Sequence, residues 1–367
     1  MARYAERLKK DIERWTGEGL IDAATATRLT TDVDAKAVSR ISFTTVFSMM
    51  AAILLGAALL LLVAANWEAM PRLLRVALLL TLILVGYVGG AVLKLRGHGA
   101  FGEAAYLLAA IAFGGSIALI AQMYHLSGEE ADAILTWFFG SVLAAVLLRS
   151  PTLTIGAVIL SAVWLAMSID FGVFRPEIPY WWLALAGGVW LVSFWTDAPP
   201  ARHLLSLVLV FFTWVIFFNQ ETLVMPLLVL VLAGALIAAR VYTPVAVRLL
   251  GLDGKTAVHG LVHFLSAMLM IHVLYADEAL FFLFVLVTLA GLAAILVLAG
   301  RHDRPLRWIA YAAFAIELCY VYVALLGTMI DTAIVLLFAG LSLGALAWGI
   351  RRFEARWVHP SSGEAAT

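Results

Sequence analysis

Cysteine is almost missing from this chain. Cys319 is the only one in 367 residues, and it sits inside an apolar run. A disulfide within the chain and a cysteine-built metal site are therefore excluded. Charge is scarce as well. Asp, Glu, Lys and Arg make up 13% of the residues, against about 25% in soluble globular chains, which excludes a soluble protein with a large core. Neither sign prevails, since 24 basic residues meet 24 acidic ones, and no basic surplus argues for a nucleic-acid partner. The first 40 residues are polar and mixed in charge, so no cleavable signal peptide is expected there. A phosphate-binding loop, a dinucleotide fingerprint and a serine-nucleophile elbow are all missing. The glycine-rich "FGGSIAL" lies within an apolar run, away from any phosphate-binding context. These absences speak against an enzyme and leave no cofactor or metal to expect.

What the chain has in abundance is hydrocarbon. Hydrophobic residues reach 64%, and the mean hydropathy is +1.00. A helix crossing a bilayer needs about 20 mostly apolar residues. Twelve such runs occur, at 43–65, 73–93, 104–126, 132–148, 152–169, 180–195, 204–218, 222–239, 257–275, 279–299, 308–326 and 331–349. The shortest, 204–218, can extend to take in Arg202 and His203 at the interface. Continuous runs of this length do not alternate as barrel strands do. The expected fold is all-α, a polytopic membrane helical bundle of about twelve transmembrane helices over residues 41–350. A short N-terminal cytoplasmic helical hairpin (1–40) precedes it, and a cytoplasmic C-terminal tail (351–367) follows.

The basic residues give the orientation. With the N-terminus inside, 21 of the 24 lie on inner segments, and only Arg72, Arg75 and Arg175 lie outside. An error in the helix count would scramble this bias from that point on. It persists to the C-terminus, so both termini are expected in the cytoplasm and the protein in the bacterial inner (plasma) membrane. The outer connections are acidic: Glu68; Glu129, Glu130 and Asp132; Asp170 and Glu177; Glu221; Asp277 and Glu278; Asp331. Aromatic belts agree, with Trp67, Tyr180, Trp181 and Trp182 outside and Trp195 and Trp308 inside. In the tail, Tyr4, Leu8, Ile12 and Trp15 recur at helical spacing, Gly17 and Gly19 can stop a helix, and Asp22 can cap the next.

Three motifs recur together in this order: "ERWTGEGLIDAATATRL" in the tail, "LVAANWEAMPR" at the end of the first apolar run, and "AQMYHLSG" at the end of the third. Together they resemble the bacterial predicted-membrane-protein family known as domain of unknown function 2157. The resemblance covers roughly residues 1–150. Ala64, Ala65, Asn66 and Trp67 match the family's Asn-Trp turn, and Trp15, Gly19, Leu20 and Ile21 match its tail motif. Asp22 stands where the family has Ser or Thr, a mild departure because each of these residues caps a helix. The resemblance implies an inner-membrane location and topology, and it implies no reaction.

Several polar groups stand out against the apolar background. Glu317, midway along "WIAYAAFAIELCYVYVALL", reads as the only acid inside a span. A charge at the bilayer centre costs about 2.5–3.5 kcal/mol on insertion scales, so such a group must face protein or water. Ala310, Ala313 and Ala324 share its face with Tyr320, and they would let another helix approach closely. Two readings stay open: a proton- or cation-binding carboxyl in a pathway, or a neutral glutamic acid hydrogen-bonded to a neighbouring helix. Gln122 and His125 share one stripe near the outer surface, close in sequence to Glu129 and Glu130. They read either as a pH-sensitive gate or as helix-end capping. Asn66, Trp67 and Glu68 end the first apolar run, as binding groups or as a capped helix end with a belt tryptophan. "HGLVH" sets His259 and His263 on one face but lacks the glutamate of a zinc-protease motif. With Arg248 and Lys255 nearby, it reads as lipid-headgroup contact rather than a metal site. Gly86 with Gly90, and Gly340 with Gly344, are small-residue packing signals.

Three function classes emerge; an intramembrane enzyme is the weakest, because nucleophile–base pairs and metal sets are lacking, and two others lead it. One is a transporter or permease-like protein with an intramembrane carboxyl in its pathway. The other is a non-catalytic membrane scaffold or envelope-assembly protein. The lipid bilayer is the expected partner, with a second copy of the chain (a homo-oligomer) or an envelope protein as candidates beside it. Reporter fusions after Ser127 and after Gly254 should report opposite sides of the membrane. Reporters on the same side would refute the twelve-span topology.

Overall fold

The computed structural model describes residues 2–38, 43–65, 70–125, 127–169, 177–252, 254–275, 280–300 and 303–324, with scattered positions between 337 and 352. Fourteen helices form among the described residues. They fall into two compact units, residues 1–127 and 128–367. Eleven of the twelve apolar runs lie on helices; the last, 331–349, falls mostly outside the described residues.

In the first unit the tail forms a hairpin of α1 (Ala2–Gly17) and α2 (Ala23–Val38). Gly19 ends α1 with φ at +71°, a left-handed conformation that glycine adopts without a Cβ penalty. The Leu20 amide then donates back to the Trp15 carbonyl at 2.9 Å and the Gly19 amide to Thr16 at 3.2 Å, a Schellman stop. Asp22 precedes α2, and its carboxylate accepts from Thr25, as an N-cap does. Ile12 is buried within this hairpin unit.

Three apolar helices follow: α3 (Phe43–Ala65), α4 (Arg72–Leu95) and α5 (Gly99–Tyr124), with α5 packed against both of the others. The face that α5 buries is small, carrying Gly102, Ala104, Ala109, Ala110, Ala112 and Gly114. Gly86 and Gly90 of α4 meet it so closely that a Cβ on Gly86 would lie 2.8 Å from the Ala109 Cβ. This is the small-residue contact that the spacing implied. The later pair, Gly340 and Gly344, meets nothing within 4 Å among the described residues. Glu317 is not alone as an acid within a helix, because α5 begins at Gly99 and so includes Glu103. Lys94 Nζ lies 2.6 Å from Glu103 Oε1, an opposite charge that offsets part of the cost of burying the carboxylate.

The second unit holds α6 (Glu130–Leu148), α7 (Pro151–Met167), α8 (Trp182–Trp195), α9 (Pro199–Gln220), α10 (Val224–Tyr242), a short α11 (Pro244–Leu250), α12 (Thr256–Leu274), α13 (Phe281–Ala299) and α14 (Arg304–Ala324). Proline opens α7, α9 and α11 at a position where its missing N–H costs nothing. One apolar core joins α6, α7, α8 and α9 around Trp164, Trp182 and Phe212. Another joins α12, α13 and α14 through Leu261, Leu292, Leu306 and Ala310, with Ile237 of α10 against it. Trp182 is fully buried, its ring 4.9 Å from that of Phe212, so it is a core residue and not part of an outer belt. Trp195 and Trp308 are exposed, as belt residues are.

Among the described residues, seven helices (α4, α5, α6, α9, α10, α12 and α13) are long and apolar enough to cross a membrane. Their outer faces carry Leu, Val and Phe side chains in the open, such as Leu80, Leu84, Val231 and Leu286, which suits hydrocarbon and not water. Of these seven, α12 has the largest buried share, which makes it the most enclosed of the seven.

Two neighbouring glycines on α4 test the packing. Gly86→Ala should lower the unfolding temperature in detergent, at a cost of about 1–3 kcal/mol, because its new methyl group must displace the α5 backbone. Gly89→Ala meets nothing within 4 Å and should be neutral or stabilising by up to about 1 kcal/mol. Equal effects would refute the α4–α5 contact. The tail has its own pH dependence. The Thr25 side chain is the largest cause holding the Asp22 carboxyl below its ordinary 3.8, with backbone amides adding to it against a desolvation effect. The cap is therefore intact above the ordinary value and lost as pH falls through the lowered one. Amide exchange over Ala24–Ala26 should quicken in Asp22→Ala at neutral pH, and unchanged exchange would refute the cap.

Candidate functional site

Three buried histidines of the second unit, His259, His263 and His272, lie on α12. His272 is 2% exposed by its side chain, and its Nε2 lies 3.0 Å from Oε1 of Glu317 on α14, which is 13% exposed. The two atoms are close but not aligned as a full hydrogen bond, so the contact is one of charge and proximity. The other ring nitrogen decides the tautomer. Nδ1 of His272 lies 2.6 Å from the Met268 carbonyl oxygen. A carbonyl only accepts, so Nδ1 carries a hydrogen and donates it.

That hydrogen fixes what Nε2 and Oε1 can do. If the imidazole is neutral and the carboxyl ionised, a lone pair faces a charged oxygen with no proton between them, in a nearly dry place. With one proton added the contact becomes attractive, either as imidazolium with carboxylate or as a carboxylic acid donating to Nε2. With two added, the imidazolium charge is unanswered. One proton between the two residues is the state that burial favours.

Aromatic rings enclose the pair. Phe281 of α13 and Tyr320 of α14 stand edge-on to the His272 ring, with centroids 5.6 and 5.8 Å away. They also contact each other at 5.5 Å. Tyr320 is thus brought to Glu317 by its place one helical turn on. Ala310, on the same face of α14, is fully buried and lets the helix come close, as its position implied.

A second histidine pair lies toward the other end of α12. His203 Nδ1 on α9 and His259 Nε2 are 2.8 Å apart, with rings only 6° from parallel. His263 Nδ1 donates to the His259 carbonyl at 2.8 Å. Both histidines of "HGLVH" are buried, at 6% and 1% exposure, so they do not touch lipid headgroups. The cause is the tight approach of α10, where a Cβ on Gly260 would lie 2.7 Å from Ile237. His263 and His272 are nine residues apart and so on opposite faces of α12. Among the described residues no three His, Cys, Asp or Glu side chains converge as a metal set.

The remaining candidates lie elsewhere. Gln122 and His125 end α5 in the first unit, and both are exposed; His125 takes a left-handed φ of 52° as the C-cap. Glu129 is the N-cap position of α6 and Glu130 its first residue, both exposed, where an acidic charge suits the helix dipole. Asn66, Trp67 and Glu68 lie outside the described residues. Sequence reasoning missed His272 as a site residue. Its position inside an apolar run was a signal, but its partner 45 residues further on was not visible.

The comparisons with known proteins bear on the first part of the chain. Residues 13–154 match the family model described as a predicted membrane protein, domain of unknown function 2157. The match runs from α1 to the first turn of α7, and stops short of Arg202, His272 and Glu317. No curated protein and no solved structure matches the chain. With the apolar helices, the match describes a multi-pass helical membrane protein.

Proposed function

We propose that the protein is a proton-coupled transporter or permease-like protein of the inner membrane, in which His272 and Glu317 hold the coupling proton. The observation that carries this reading is the 3.0 Å contact between Nε2 and Oε1, with Nδ1 already committed to Met268. The pair is neutral with one proton and charged with none or two. Taking up or giving away that proton leaves a buried charge, which costs several kcal/mol unless a second event answers it. A bound cation, a substrate or a helix movement that admits water would each answer it. That is the physical basis of coupling. In this reading twelve helices span the membrane, both termini are cytoplasmic, and no catalytic step or cofactor takes part.

The competing reading is a scaffold that meets an envelope protein, or a second copy of the chain, through its outer connections. The exposed Glu129 and Glu130 at the start of α6 favour it. In that case the proton on the pair never leaves.

Glu317→Gln separates the two. The amide still donates to Nε2, so the fold should persist, but the side chain no longer ionises. Proton flux in proteoliposomes, and any change of thermal stability with pH that comes from the pair, should disappear. Glu317→Leu should instead cost stability, about 1–3 kcal/mol for the polar partner left alone. A Gln variant with wild-type stability at every pH and unchanged flux would remove the carboxyl from the function and leave the scaffold.

A further inference from the structure

The second unit contains a cavity of about 270 Å³ lined by α8, α9 and α10, with Leu250, Leu252 and His263 also on its wall. It lies apart from the His272–Glu317 pair, and its chemistry is independent of the role of that pair. The wall holds one guanidinium. Arg202 is 6% exposed. Its Nε donates to the Gly251 carbonyl at 2.6 Å, its Nη1 to the Ser193 carbonyl at 3.3 Å, and its guanidinium lies 4.5 Å from the centre of the Phe194 ring. All three partners are neutral. Among the described residues no carboxylate stands within ion-pair distance of Arg202. Arginine has five N–H donors and does not lose its proton, and among the described residues its hydrogen-bond partners are these two carbonyls alone. A buried guanidinium without an anion is costly.

The local backbone is shaped to hold it there. Gly251 ends α11 with φ at +62°, and a Cβ on it would strike the Phe194 ring and lie 2.9 Å from Arg202 Nε. Two more nitrogens on the cavity wall have no partner among the described residues. Trp182 is fully buried and its Nε1–H has no acceptor; His263 is 1% exposed and its Nε2 has no partner. Because His263 Nδ1 donates to His259, the free Nε2 presents a lone pair when the ring is neutral.

The rest of the wall is hydrocarbon. Leucines of α8, α9 and α10 line it with the Trp190 ring. The lining positions of α8 run from Trp182 to Trp190, a length of about 12 Å at 1.5 Å per residue. The charge sits at one end, level with Ser193, while Trp182 packs at the level of Phe212, ten residues further along α9. Leu183 on the rim is 47% exposed, so the groove opens sideways along α8. A cation at one end, a long apolar wall and a lateral opening complement one class of molecule.

We propose that this groove binds an anionic membrane lipid, with the headgroup oxyanion against Arg202 and an acyl chain along α8 and α9. The guanidinium gains an anionic partner, and the acyl chain covers the apolar wall.

Native mass spectrometry of the full chain in detergent tests this with phosphatidylglycerol and phosphatidylcholine offered at equal concentration. The wild-type protein should retain phosphatidylglycerol in preference. Arg202→Gln should reduce that preference by about tenfold, the scale of a charge-assisted contact. Gly187→Phe is the second variant. Gly187 lines the cavity and a Cβ there meets nothing within 4 Å, so the ring fills the groove without disturbing Arg202. It should abolish retention of both lipids while leaving the melting temperature unchanged, and it carries the test if Arg202→Gln does not fold. Equal retention of the two lipids by the wild type would overturn the proposal, as would undiminished phosphatidylglycerol binding in Gly187→Phe. Inorganic phosphate alone should not raise the melting temperature; a rise matching that from phosphatidylglycerol would mean a site for a small soluble anion, and would also overturn it.

Discussion

A polar group inside a bilayer has no water to fall back on, and the interior of this protein is organised around that constraint. Each buried polar side chain is answered at short range where the fold allows it. Lys94 meets Glu103, His203 meets His259, the Trp214 indole donates to Ser266, and Thr154 meets Thr196. Backbone carbonyls one turn back take the hydrogens of His263 and His272. In hydrocarbon such pairings cost little to make and much to leave unmade. Groups whose polarity is not fully answered, such as the His272–Glu317 contact and Arg202, are for the same reason the ones with chemistry to spare.

The enclosed position of α12 follows from packing. Gly260 lets α10 lie against it, and Leu261 anchors it in the core shared with α13 and α14. A helix this enclosed presents different faces to different neighbours. His259 turns to α9, His263 lines the groove beside α8, and His272 turns to α14. His259 and His263, one turn apart and joined by a side-chain to carbonyl bond, share one side of the helix, and His272 stands on the other. A shared proton chain along α12 is not built into this arrangement.

Most of the helices were legible in the sequence because hydrocarbon runs of bilayer length leave little choice of secondary structure. The stop at Gly19, the cap at Asp22 and the close glycines of α4 were legible for a related reason, since each acts within a turn or two of itself. Glu317 was also legible, as an acid in a place where acids are costly. What faces it was not. Helical periodicity places His272 on a face of its own helix, but the approach of α12 to α14 depends on packing across the unit. Arg202 was read as an interfacial charge because basic residues gather at inner helix ends. The structure buries it because α9 begins at Pro199 and Gly251 brings a carbonyl beneath it. Trp182 looked like its belt neighbours Tyr180 and Trp181, and only its contact with Phe212 sets it apart.

The His272–Glu317 contact has a consequence for how this protein can change over generations. A carboxyl without the imidazole leaves polar oxygens in a nearly dry place, and an imidazole without the carboxyl leaves a ring nitrogen facing hydrocarbon. Neither intermediate is comfortable, so the two positions form a single heritable unit although 45 residues separate them. A lineage that loses one has to lose or replace the other soon after, and the easiest first step is Glu317→Gln, which keeps a donor facing Nε2. Descendants that passed through that step would keep the packing of α12 on α14 and lose a group that can ionise.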